Sequence, residues 1–206
     1  MSVKYLVSAC LLGKKVKYNG ESNYDERFDY FQDKGLVAPI CPEVLGGLPI
    51  PRSPSEIMIN TVLNKDNIDV TENYIQGASK TYQVCMDFGV NKVVLKERSP
   101  SCGVHQIYDG SFTNTVVKGS GITTRFLQEN DINVYSNEEI FKYDAIVVAA
   151  GKSERTHLKY NKIFENCLNR SCIQAACEKF LIDIMCNKVI IVANKYDIPV
   201  LFIICF

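Results

Sequence analysis

Short apolar runs alternate with charged, helix-spaced segments along most of this chain, and that alternation confines it to a few architectures. Residues 3–9, the run ending at Cys41, residues 92–95 and residues 132–135 read as strands. Between them, residues 24–34 are charged and aromatic, close at Gly35 and read as a helix. Residues 71–88 place Tyr74, Ala78, Tyr82, Cys85 and Phe88 three or four apart, the spacing of one buried helical face. Thr71 reads as the N-cap of that helix and Gly89 as its stop. Residues 121–130 form a further helix candidate, and Asp109-Gly110 reads as the centre of a turn. Strands alternating with helices predict an α/β domain, a Rossmann-like open and mostly parallel sheet with flanking helices.

A polar stretch, Ser136-Asn137-Glu138-Glu139, interrupts this pattern. A domain boundary near Glu139 is expected, giving domains 1–139 and 140–206. The second opens on an apolar strand at 145–149, continues through a small-residue loop to a helix over 171–184, and reaches another strand at 189–193. It reads as a truncated Rossmann-like βαβ segment. A lone βαβ unit leaves strand surface uncovered, so this segment is expected to dock on the first domain, to form a homo-oligomer or to need a partner. The apolar ending, residues 199–206, has no capping pattern and is read as a truncated or frame-disrupted fusion.

The balance of 23 basic against 23 acidic residues argues against a broad phosphate-binding surface, so no nucleic-acid polymer is expected as partner. Lys14, Lys15 and Lys17 are at most a local anion patch. The nine cysteines follow a start with no long apolar leader, which points to a reducing cytoplasm where thiols persist. No stretch reaches the roughly 18 to 20 apolar residues that span a bilayer. A soluble protein with a small-molecule substrate is expected.

Three of those cysteines, Cys10, Cys41 and Cys102, each lie where a strand candidate gives way to a glycine- or proline-marked loop. In an open parallel sheet the strand ends converge on one crevice. Thiolates distant in sequence can therefore become corners of one metal centre. A [4Fe-4S] cluster on three cysteines leaves one iron without a protein ligand, and such an iron is a thiophilic Lewis acid. Zinc with three thiolates and a water is the rival, although zinc sites usually show close ligand pairs in sequence. A non-enzymatic metal-bearing module and buried structural thiols are the other readings. Cys85 reads as helix core and His105 as a loop residue.

Four blocks carry a resemblance: Ser8-Ala9-Cys10-Leu11-Leu12-Gly13, Cys41-Pro42-Glu43-Val44-Leu45-Gly46-Gly47-Leu48, Pro51-Arg52 and Ser99-Pro100-Ser101-Cys102-Gly103. Over residues 1–136 the chain resembles the small bacterial family that includes thiouracil desulfidases. The resemblance implies a [4Fe-4S] cluster on Cys10, Cys41 and Cys102 and a non-redox removal of sulfur from a thiolated base. It gives Glu43 an acid–base role, Ser101 the positioning of water or the departing sulfur, and Arg52 the orientation of substrate. Some relatives carry a further cysteine near Val16, where this chain has none.

Residues 143–198 resemble the opening of the methylerythritol phosphate cytidylyltransferase family of isoprenoid biosynthesis, on Ala149-Ala150-Gly151-Lys152-Ser153-Glu154-Arg155 and Lys162-Ile163-Phe164. That likeness implies a nucleotide-binding loop at Gly151, with Arg155 and Lys162 facing a phosphate. It makes CTP and magnesium the cofactors of an alternative, nucleotidyltransferase reading. Ser153 and Asn161 depart from the pattern, and the later strands of that family are absent, so the segment is expected to be vestigial.

Overall fold

The computed structural model describes residues 2–151, 160–167 and 169–205. It divides into two compact units, Met1–Glu138 and Glu139–Phe206. The first runs β1 (Tyr5–Ser8), a 3-10 turn (Glu26–Phe28) leading into α1 (Asp29–Asp33), β2 (Val37–Ile40), α2 (Pro42–Leu45), β3 (Ser55–Met58), β4 (Thr61–Asn64), α3 (Thr71–Phe88), β5 (Lys92–Leu95), β6 (Gln106–Tyr108), β7 (Val116–Lys118), α4 (Ile122–Glu129) and β8 (Asn133–Ser136).

Its main sheet has four strands in the order β2-β1-β5-β8, all parallel. All four residues of β1 are buried, as expected of a parallel sheet covered on both faces. Leu6, Val93 and Leu95 join Cys85, Val90, Leu127 and Ile132 in one core cluster. Tyr5 points the other way and meets Phe31 of α1 edge-on, with ring centroids 6.3 Å apart. Because β2 and β5 flank β1 on opposite sides, the sheet has its topological switch beside the C-terminal end of β1. Crevices open at such switches.

Helix α3 spans the predicted residues, but its start and face differ from the expectation. Thr71 is not its N-cap: Val70 holds that position, and the Thr71 hydroxyl instead accepts from the Val62 amide at 2.8 Å. Phe88 is half exposed, whereas Gly77 and Thr81 lie on the buried face beside Tyr74, Ala78 and Cys85. Glycine is required there by close approach. A Cβ on Gly77 would stand 2.2 Å from the Pro42 carbonyl oxygen, and one on Gly46 only 2.0 Å from the Asn73 oxygen. Both contacts press α2 onto α3, and α2 carries the segment Cys41-Pro42-Glu43.

The hairpin β3–β4 has no turn signature in the sequence, since its turn holds Ile59, exposed and at φ 58, in place of a glycine or Asn-Gly. The Asp109-Gly110 turn is wider than expected. Asp109 donates its amide to Thr115 at 3.1 Å across a loop between β6 and β7.

In the second unit, β9 (Tyr143–Ala149), a 3-10 turn (Lys162–Phe164), β10 (Asn166–Cys167), β11 (Arg170–Ser171), α5 (Cys172–Leu181), β12 (Cys186–Ala193) and α6 (Ile198–Cys205) follow in order. β9 pairs with β12 in parallel. α5 stops at Leu181, short of the expected 184, and Ser171 with Gln174 forms a full capping box at its start. Ile173, Cys177, Ala149 and Leu201 are the buried centre of this unit. Residues 199–205, read from the sequence as an uncapped tail, belong to α6.

Gly77→Ala is expected to lower stability by about 1–3 kcal/mol through overpacking against α2, measured as the urea midpoint. An unchanged midpoint would show that α2 moves away freely.

Candidate functional site

Cys10 follows β1 and sits in a tight loop, where the Gly13 amide donates to the Cys10 carbonyl at 3.2 Å and the Asn23 amide donates to it at 3.0 Å. Cys41 is the N-cap residue of α2. Cys102 follows β5 in a turn organised by Ser99, whose hydroxyl oxygen accepts from the amides of Ser101 and Cys102, both at 3.1 Å. Behind this turn the buried Glu97 carboxylate accepts three amides on one oxygen, Val104 at 3.0 Å, His105 at 2.9 Å and Gln106 at 2.7 Å. His105 is accordingly an exposed loop residue held by its backbone, and Cys85 is fully buried in the helix core.

The three strand-end cysteines line one cavity of about 330 Å³, together with Glu43, Arg52, Ser99, Lys96, Asn23, Tyr74 and Val16. They also act on one another electrostatically. Burial pushes the Cys102 thiol up, and the charges of Glu43, Cys41 and Cys10 push it further. Burial raises Cys10 and Cys41 too, opposed at Cys10 chiefly by a hydrogen bond from Asn23 and at Cys41 by one from the Val44 amide.

Among the described residues, no group of three His, Cys, Asp or Glu side chains is gathered as a set that could hold a metal ion. The three thiols share one cavity wall, as the ligands of one cluster would. The chemistry of the donor set agrees, because a compact inorganic core would compensate thiolates that burial and mutual repulsion otherwise disfavour.

Glu43 sits beside the thiols on the first turn of α2. Its Oε2 receives Arg52 Nε at 2.9 Å and Nη2 at 2.8 Å. Its Oε1 accepts from the Ser99 hydroxyl at 3.3 Å. Arg52 also donates to the carbonyls of Pro49 at 3.2 Å and Val16 at 3.0 Å. Arg52, given a substrate-orienting role by the resemblance, lines the cavity and holds Glu43 in place.

Ser101 is placed differently from the expectation. Its side chain is fully buried, pairs with the Thr123 hydroxyl at 2.8 Å and is not part of the cavity wall. Of these two neighbouring serines, Ser99 is the one that lines the cavity. The sequence offered both in Ser-Pro-Ser-Cys, and only the turn geometry selects between them. Val16 lines the same cavity and gives its wall an apolar side chain there.

In the second unit, Gly151 follows β9, and a Cβ added to it would meet nothing within 4 Å. Lys162 opens the 3-10 turn. Arg155 lies outside the described residues.

An α/β domain with a thiol-lined crevice at its sheet switch is the class that this geometry defines. The 2-thiouracil desulfurase family model matches residues 5–139, and the chain belongs to that family. It is 37% identical over 145 residues to the uncharacterized protein YbbK of Bacillus subtilis strain 168, a match covering 66% of this chain and 96% of YbbK. Among solved structures it resembles the [4Fe-4S]-dependent thiouracil desulfidase TudS, with 38% identity and a TM-score of 0.64, covering 67% of this chain and 93% of that one. The family model stops at residue 139, and none of these matches supports nucleotide transfer by residues 140–206.

Burial alone pushes the Glu97 carboxyl up, but hydrogen bonds from Ser136 and the three amides outweigh it and hold the group below its ordinary range. A carboxyl lowered on folding stabilises the protein above its unfolded pKa of about 4.3. That contribution is lost as pH falls through the lower folded value. Thermal melting of the wild type is therefore expected to drop on acidification below about pH 4.3. Glu97→Gln should be less stable at neutral pH, by about 1–3 kcal/mol, with a shallower acid limb. Parallel acid limbs would contradict the role given to this clamp.

Proposed function

We propose that the first unit removes sulfur from a small thiocarbonyl compound, of the thiolated pyrimidine class, by hydrolysis without net redox change. The supporting observation is that Cys10, Cys41, Cys102 and the anchored Glu43 share one cavity in a chain of the 2-thiouracil desulfurase family. The net reaction converts C=S and water into C=O and hydrogen sulfide, so neither oxidant nor reductant is required.

Cys10, Cys41 and Cys102 would hold the cluster that TudS depends on. Such a cluster, when bound, supplies a thiophilic iron lacking a protein ligand. The protein's own groups do the rest. Glu43 takes a proton from the attacking water at a carboxylate oxygen and returns it to the leaving side, the work of a general acid–base group. The paired contacts from Arg52 fix the carboxylate plane, and the Ser99 hydroxyl holds Oε1 toward the Cys102 turn. Tyr74 and Val16 give part of the wall apolar surface, suited to a flat heterocycle. Ser101 acts through the turn rather than on substrate. No specific observation favours nucleotide transfer in the second unit, and it is not proposed.

Protein prepared without oxygen is expected to release sulfide from 2-thiouracil and leave uracil. Glu43→Gln should retain its iron while kcat falls by about 10²-fold or more. Serine at any one of the three cysteines should lower iron content and activity together. Wild-type turnover by Glu43→Gln, or full iron in every serine variant, would contradict this reading.

A further inference from the structure

The charges around the thiol cavity are nearly all neutralised by protein. Glu43 holds Arg52. Glu56 accepts the amides of Gly110 and Phe112 at 2.9 and 3.0 Å. Glu97 is occupied by its three amides. Arg98 pairs with Glu138.

Lys96 is different. Its ammonium is half-buried on the cavity wall and donates to the Glu97 carbonyl at 2.7 Å. Among the described residues it makes no ion pair within 4.0 Å. One N–H direction is therefore used out of three. Its backbone is fixed, since the Lys96 amide donates to the buried Ser8 hydroxyl at 3.0 Å, and Ser8 lines the same cavity. The charge of Lys96 is felt by both Cys10 and Cys102.

A half-buried ammonium with two unengaged donors is complementary to an anion. The proposed reaction makes one at this place. As water's oxygen bonds to the substrate carbon, the C–S bond breaks with its electron pair remaining on sulfur, and a proton then converts that sulfur to hydrosulfide. Resting on the desulfuration reading, we propose that Lys96 is the anion-binding residue of the site, holding the negative sulfur as it separates and then the hydrosulfide product. Lys96 also lines a second, open depression with Asn23, Asp25 and Arg27. The same side chain thus borders both the thiol cavity and an opening outside it.

The test uses the full chain loaded with iron and sulfide under anaerobic conditions and sodium hydrosulfide as the probe. Binding is read from the change in the visible absorption of the loaded protein, with iron content and melting temperature recorded for each variant. Lys96→Met is expected to bind hydrosulfide about tenfold more weakly with iron retained, the loss of one hydrogen bond to a charged group. Lys96→Arg, which keeps the charge, should stay within about threefold of wild type. Lys96→Gln can keep the bond to the Glu97 carbonyl, and it gives the same comparison if the methionine variant is unstable. Unchanged hydrosulfide affinity in the methionine and glutamine variants overturns the role of Lys96 while leaving desulfuration standing. A wild type that takes up no iron overturns both.

Discussion

Everything at the site depends on parallel strands ending at the same edge of one sheet. β1 lies between β2 and β5, so the loops after these three strands emerge side by side, and each carries one cysteine. No local motif could gather these thiols. Their meeting is a property of topology, with the switch in strand order beside β1 opening the crevice that the loops then line. The sheet can hold them because its central strands β1 and β5 are buried almost throughout and cannot slip in register without exposing apolar side chains.

Two close approaches convert that topology into fixed geometry. Gly46 and Gly77 let α2 sit against α3 at a distance no side chain would permit, which sets Cys41 and Glu43 relative to the core. The Glu97 carboxylate does the equivalent for the third loop by tying Val104, His105 and Gln106 behind Cys102. The second device buries a carboxylate where burial is costly and offsets it with three hydrogen bonds from backbone amides. The resulting cavity has its thiols disfavoured as bare anions, its Glu43 carboxylate held by Arg52 and Ser99, and Lys96 fixed on its wall to meet negative charge.

The sequence carried the α/β alternation because it rests on hydrophobic period, which β1, β5 and α3 display plainly. It carried the three cysteines for the same reason, since each stands at a strand end. What it could not carry was side-chain direction within loops. Ser99 and Ser101 are equivalent as letters, yet one hydroxyl organises the turn at the cavity and the other is buried against Thr123. Arg52 takes a substrate role only from the family resemblance, and its contacts with Glu43, Pro49 and Val16 join segments distant in sequence that no local pattern brings together. Thr71 was misplaced as a cap because its hydroxyl has a tertiary partner, the Val62 amide. Lys96 carries no signal in the sequence, as its meaning lies in its place on the cavity wall and its anchored backbone. The β3–β4 hairpin escaped because an isoleucine occupies its positive-φ turn position.

The most direct test of the central claim is Mössbauer spectroscopy on the full chain reconstituted anaerobically with ⁵⁷Fe and sulfide. A cluster held by Cys10, Cys41 and Cys102 predicts about four irons per chain, three of them alike and one distinct, the distinct one shifting when hydrosulfide or 2-thiouracil is added. Four equivalent irons, or a protein that binds no iron in cluster form, would contradict the account.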